Sequence, residues 1–462
     1  EVFLEKKIDL EKKKKDFLEK KEPFIGIVEQ YPEIALTKLL DELRKGNYLT
    51  SYWCQLFENI SENIESEVII KIGESIKVLP DETLFECRFS ITRWINREFS
   101  VACINNQSEF WDVWDSTLEK LNSLAPDVNK SALGETYLAG KPLKRSRKTY
   151  EHSLNSPIGN LVDALFNTYK AWDLDPKKVK KTYLIRLEKA LLSNGEGSHH
   201  ALSMIMCRFD FVLYHYAIWA KIILLPLLKN GNENSEAGWD GLFHQRYLPN
   251  HNSCFAIKES FIELIDSQFL GKSNKKINKN ITNFIMYFAY VSFKTKKLFT
   301  DTELREMIRK IDNENVSQGL FFILDLIKKE NIWKTFGRYF IQNIWPKEKQ
   351  YQTSRTSERF FNFLIDMPND FKDINKYIFP YFQNIESSHL YFYRLRRVEK
   401  QHEVIKNHPK DMLLILDKIV GTKIEIYDDT FLEILNDMLV YRPELKSHSS
   451  WDRLYKIAKH GL

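Results

Sequence analysis

The 462 residues carry 68 Lys and Arg against 63 Asp and Glu, a formal net charge of +5. Apolar residues at 43% and charged residues at 28% exclude a disordered chain, and 16 glycines with 14 prolines are too few for a loop-rich all-β protein. The octapeptide "KPLKRSRK" at 141–148 holds five basic residues and no acid, as many charges as the whole excess, so the remainder is near neutral and lacks the spread basic character of a nucleic-acid binder.

Taken in chain order, "EVFLEKKIDLEKKKKDFLEKK" predicts a helix with Phe3, Leu10 and Phe17 on a seven-residue repeat and a solvated lysine face. The chain opens on Glu1 rather than methionine, which suggests a piece of a longer polypeptide. From 26 to about 125 short amphipathic helices follow one another. One stops at Gly46-Asn47, the next pair meets at Pro80-Asp81 with Asp81 as a cap, and "SEFWDVWDSTLEKLNSL" places Phe110, Val113, Trp114, Leu118 and Leu121 on one side.

Residues 126–152 lack periodicity and mix glycine, proline and charge. They are expected to be a long loop between an N-terminal helical segment, 1–125, and a C-terminal helical-repeat domain, 153–462. Beyond it, "SLNSPIGNL" starts a helix. Ser156 precedes proline, which favours the extended backbone an N-cap needs, and Pro157 fits the first helical position. Gly159 costs up to about 1 kcal/mol against alanine there. Either a neighbouring group packs closely on it, or the helix N-terminus holds an anion.

Asp175-Pro176 predicts the cap of the next helix, which ends at Asn194-Gly195. "SNGEGSHH" follows a helix rather than a strand, so it reads as a turn and not as a phosphate loop. The most apolar stretch, "FVLYHYAIWAKIILLPLL" at 211–228, is interrupted by His215, Lys221 and Pro226. It predicts a buried core helix rather than a membrane span. Helices recur to the end of the chain, and "GTKIEIYDD" at 421–429 alone has strand-like alternation.

The expected fold class is therefore all-α: an irregular α-solenoid of stacked, HEAT-like helical hairpins with no extended β-sheet. Five cysteines without a CxxC pair, set among apolar neighbours, predict buried thiols in a reducing compartment. The chain has no GxGxxG, Walker or GxSxG pattern, and His199-His200 diverge too far on a helix to share a metal. No catalytic, cofactor-binding or metal-binding residue is expected.

Three segments, "SLNSPIGNLVDALFNTY", "AGWDGLF" (237–243) and "NIWPKEKQYQTSRTSERFFNFLIDMPNDF" (343–371), occur in this order. In them the chain resembles the C-terminal helical region of large bacterial defence-associated sirtuins, over about residues 150 to 460. Asn155, Pro157 and Gly159 match a helix start, Trp239 and Gly241 a turn, and Trp345, Pro346 and Lys347 a second turn before a helix capped by Thr353. Ser354 stands where that pattern has proline. The resemblance implies a cytoplasmic bacterial anti-phage protein. This chain would be its non-catalytic sensor and scaffold, regulating an NAD-depleting domain that the sequence does not contain. It implies a phage-encoded protein as trigger, homo-oligomerisation and no membrane partner. The alternative is a nucleic-acid-binding scaffold using Lys141, Lys144, Arg145, Arg147 and Lys148.

Overall fold

The computed structural model describes residues 23–60, 64–134, 136–138, 141–143, 146–245, 248–267, 275–385, 395, 399–421 and 430–460. The first predicted helix, at 1–21, and the "GTKIEIYDD" stretch beyond Gly421 lie outside them. Among the described residues the protein is all-α apart from one antiparallel ribbon, Thr136–Leu138 with Lys141–Leu143, in which Thr136 pairs with Leu143. It divides into two compact units, Glu1–Pro249 and Asn250–Leu462.

The first unit is built around the helix Pro157–Ala171, 11 of whose 15 residues are buried. A helix apolar on nearly every side has to lie in the middle of its neighbours. Helix Asp81–Trp94 packs on it and continues into a π turn at Ile95–Phe99. Trp114, from helix Gln107–Ser123, donates its indole N–H to the Leu161 carbonyl at 2.8 Å. Trp172 donates to the Ser100 carbonyl at 2.6 Å, and Asn96 donates to Asp163 at 3.0 Å.

These ties join residues before 126 to residues after 152, so the expected boundary there is corrected. The described residues of 126–152 belong to the first unit, anchored by the buried Val128, Asn129 and Ser131, and carry the ribbon, and the division comes at Pro249. Charge and missing periodicity marked the segment as irregular. They could not tell a linker from a segment strapped down on both sides.

The second unit stacks consecutive helices. Lys275–Thr295 packs against Asn313–Lys329, which packs against Ser354–Ile365. Thr300 and Glu303 form a capping box on Asp301–Arg309, and Asp312 caps Asn313–Lys329. Two π turns, Trp333–Gly337 and Phe340–Ile344, lead to the Trp345 turn. Helices Pro409–Ile419, Thr430–Tyr441 and Ser449–His460 close the unit.

Three further expectations change. Cys54 and Cys87 form a disulfide with Cα atoms 5.0 Å apart, because helices Thr50–Asn59 and Asp81–Trp94 pack face to face and turn both side chains inward. Cys103, Cys207 and Cys254 stay as thiols, and burial pushes Cys103 up to about 12. Asp175 accepts from the Lys177 amide at 2.9 Å in a turn, and the helix starts only at Lys180. Asp81 is the first residue of its helix rather than the cap.

The apolar stretch 211–228 is not one core helix. It breaks at Tyr216 (φ −131°, ψ 41°), and the helices on either side, Phe209–His215 and Ala217–Leu227, meet at 116°. The break turns the Tyr216 hydroxyl inward, where it bonds the Tyr169 hydroxyl and the Pro176 carbonyl. It also leaves Tyr214, Ile218 and Ile222 exposed. No single described helix is long and apolar enough to cross a membrane.

Candidate functional site

The resemblance-bearing residues of the first unit converge on one helix, Gly197–Met206. Helix Ser235–Phe243 packs on it more extensively than on any other element, and Tyr150–Leu154 and Pro157–Ala171 cover its other sides. Gly241 is what lets the first pair close. A Cβ there would stand 2.1 Å from the Ser203 carbonyl oxygen, so the two backbones touch. Beside it Trp239, fully buried, donates its indole N–H to the Leu228 carbonyl at 3.0 Å.

"SLNSPIGNL" is resolved in the same terms. Ser156 caps the helix, its hydroxyl accepting from the Gly159 amide at 3.0 Å and donating to the Ser153 carbonyl at 2.9 Å. A Cβ on Gly159 would fall 1.8 Å from that Ser153 carbonyl oxygen. The helix N-terminus is thus closed by the protein's own hydroxyl and a carbonyl. An oxygen lone pair facing the amides is where an anion would have to sit, so the close-packing reading holds and the anion reading does not. Asn155 ends the preceding short helix. Its side chain donates to the Glu151 carbonyl at 2.9 Å, and its own carbonyl accepts from Ala132.

Next to these glycines lies a polar node that the sequence did not announce. Arg147 pairs with Glu196 at 2.6 Å and donates to the Leu133 and Ser131 carbonyls at 2.9 and 3.2 Å. Ser131 Oγ and His152 Nδ1 are hydrogen-bonded at 2.5 Å. His200 is completely buried, with Nε2 3.7 Å from Glu196, and neither ring nitrogen has a hydrogen-bond partner. Loss of water holds its pKa down to about 4, against the pull of Glu196. Burial and the Arg147 charge lower His152, and burial and Lys148 lower His199. All three imidazoles are therefore neutral at pH 7.

The node orients and fastens. The Ser131 hydroxyl also accepts from Arg147 at 3.3 Å and from the Leu133 amide at 3.3 Å, so the node ties three separate segments of the chain together. Among the described residues no three His, Cys, Asp or Glu side chains are placed to hold one metal ion. Sequence reading missed the node because its members, 131, 147, 152, 196 and 200, are scattered over three irregular stretches. The one signal present was His199-His200, where one ring is buried and the other half-buried.

The basic stretch divides. Lys148 donates to the Glu233 carbonyl at 2.6 Å and Arg147 is committed to Glu196, so both serve the fold. Lys141 lies in the ribbon, and Lys144 and Arg145 lie outside the described residues. In the second unit Trp345 is fully buried between Phe340 and Phe360, at ring distances of 6.2 and 5.9 Å, with Pro346 buried and Lys347 exposed. Thr353 is the cap expected of it, accepting from the Thr356 amide at 3.1 Å, with Ser354 in the first helical position. No family model, curated protein or solved structure matches the chain.

Proposed function

We propose that this chain is the helical sensor and scaffold region of a bacterial anti-phage defence protein, one that restrains an NAD-depleting, sirtuin-type effector domain. Its trigger is a phage-encoded protein, and it assembles with copies of itself. The observation that supports this reading is the role of the residues carrying the resemblance. Gly159 and Gly241 hold backbone contacts that any Cβ would break, and Trp239 fastens the Leu228 carbonyl from a buried position. They act as architecture in an all-α stack and leave chemistry to another domain.

Stacked helices offer long surfaces for a protein partner. Activation is a shift between two arrangements of the stack, driven by a ligand that binds one better than the other. The test uses the purified chain as bait in lysates of infected cells. Each phage protein recovered is then expressed alone and titrated against the chain. A direct, saturable complex is the expected result, and absence of one from every phage the host resists counts against the reading.

The nucleic-acid alternative loses ground at Arg147 and Lys148, both engaged within the fold. Binding that is absent even at low salt retires it, whereas a steep salt slope would revive it.

A further inference from the structure

The apolar stretch that breaks at Tyr216 leaves large aliphatic and aromatic side chains exposed among the described residues. Tyr214 is 78% exposed, Ile218 72% and Ile222 64%. Ile218 and Ile222 lie four apart on one helix, so they share a face, and Lys221 stands exposed between them. Leu192, at the end of helix Lys180–Leu191, is 84% exposed.

The two helices are tied together beneath this ridge. Trp219 donates to Glu188 at 2.7 Å, and Tyr216 donates to the Pro176 carbonyl at 3.0 Å. His215, whose ring meets Tyr214 edge-on at 4.7 Å, feels the charges of Lys177 and Asp175. The ridge is therefore fringed by "DPKKVKK". Lys177, Lys178, Lys180 and Lys181 are exposed there, as Lys221 is, and none makes an ion pair among the described residues. Four acids belong to the same segments, Asp173, Asp175, Glu188 and the half-buried Asp210, against the five lysines.

An apolar ridge with a lysine fringe selects its occupant. A second copy docking isologously would bring lysines against lysines, which repels. An uncharged apolar groove would leave the fringe without a partner. A surface carrying negative charge around a hydrocarbon interior satisfies both parts, since apolar side chains enter at headgroup depth while lysine stems reach out to the phosphates.

We infer that the Tyr214–Ile222 ridge, with its Lys177–Lys181 fringe, docks this chain peripherally on an anionic lipid surface. This departs from the expectation that no membrane partner exists. It does not rest on the defence reading: either can stand while the other fails.

The test is flotation of the full chain with vesicles of phosphatidylcholine alone, and with vesicles in which about a third of the lipid is phosphatidylglycerol. The expected result is flotation with the anionic vesicles only, weakened by salt as surface charge is screened. The double variant Ile218→Asp, Ile222→Asp should lose about tenfold or more in binding, and so should Lys177→Glu, Lys178→Glu, each with an unchanged helical circular dichroism spectrum. Ile34→Asp, which alters an exposed isoleucine away from the ridge, should float like the parent. If the isoleucine variant does not fold, the lysine variant, altering exposed side chains only, decides the question. Failure of the parent chain to float, or flotation that survives both double variants, overturns the inference. The first of these results would leave an acidic protein surface as the occupant to pursue.

Discussion

The two units reach close packing by different routes. In the first, helices meet backbone to backbone: Gly241 lies against the Ser203 carbonyl and Gly159 against that of Ser153. Three buried indoles there, those of Trp114, Trp172 and Trp239, donate to carbonyls, while those of Trp53 and Trp94 do not. In the second, the close glycines meet side chains: Gly319 the Thr282 methyl and the Met286 side chain, and Gly337 the Trp333 ring. Runs of rings fill space in both units, Phe57 to Trp94 to Phe99 to Phe110 to Trp172 in the first and Tyr290 to Phe336 to Phe340 to Trp345 to Phe360 to Tyr381 in the second, so the contrast lies in what the close glycines touch. The contrast teaches where each unit has slack. Side chains can rotate away from an intruder and a helix backbone cannot.

The sharpest way to break this contrast is to add one methyl group on each side. Gly241→Ala puts a carbon at 2.1 Å from a carbonyl oxygen and Gly159→Ala at 1.8 Å, so each should cost about 3 kcal/mol or more and open the first unit. Gly319→Ala puts a carbon 2.4 Å from the Thr282 methyl, a side chain that must give way rather than a backbone that cannot, and should cost less, about 1–2 kcal/mol, partly offset by the helix preference of alanine. Urea unfolding of the three variants measures the difference. Equal losses at Gly241 and Gly319 would remove the distinction between the units.

Next in size is the disulfide, which is found in the first unit. Cys54 and Cys87 are 33 residues apart, and closing that loop restricts the unfolded chain by about 3–4 kcal/mol. Thiol titration of the unfolded, oxidised protein should count Cys103, Cys207 and Cys254 alone. Cys87→Ser should lower the urea midpoint of the oxidised protein and leave that of the reduced protein nearly unchanged. Five titratable thiols would return the chain to the sequence expectation.

That expectation failed for an instructive reason. The spacing of Cys54 and Cys87 carries no signature, because their pairing is set by two helices packing after the chain has folded. Local cap chemistry is legible in part: Asp81 and Asp175 miss the cap position, but others do not. Ser156, Pro157 and Thr353 occupy the cap and first-turn positions their chemistry assigns. Gly159 was recognised as costly in a helix, which pointed to a close neighbour though not to which atom. The apolar stretch misled because composition reports burial only on average. A single break at Tyr216 turned one of its faces to solvent. The node around His200 was illegible because buried polar partners follow no sequence period. Its members become neighbours only when three irregular segments are folded together.

The node supplies a pH test. His200 holds its pKa near 4 in the fold, against about 6.5 in an unfolded chain, so folding favours the neutral ring. That contribution is fully present above about pH 6.5. It declines as the unfolded state takes up a proton and is gone by about pH 4. The loss is of the order of 3 kcal/mol, and His152 and His199, shifted the same way, add to it. In urea unfolding followed from pH 7 to pH 4, His200→Leu should flatten the curve while Arg147 and Glu196 remain paired. A parent and variant with parallel curves would show that the ring takes up its proton without cost.

The smallest expected difference separates two tryptophans. Trp239 and Trp345 are both fully buried, but Trp239 donates to the Leu228 carbonyl while the Trp345 indole N–H has no partner. Phenylalanine removes similar volume at both sites, so the cavity penalties should nearly cancel between them. What remains is the hydrogen bond. At Trp239 its loss strands a carbonyl, whereas at Trp345 the change removes a donor that was already unsatisfied. Trp239→Phe should therefore be the more destabilising by about 1 kcal/mol, read from the unfolding transition of its own unit. If Trp345→Phe costs as much, ring packing with Phe340 and Phe360 outweighs an unsatisfied N–H. The second unit would then be the more tightly specified of the two, reversing the order of slack that the glycines suggest.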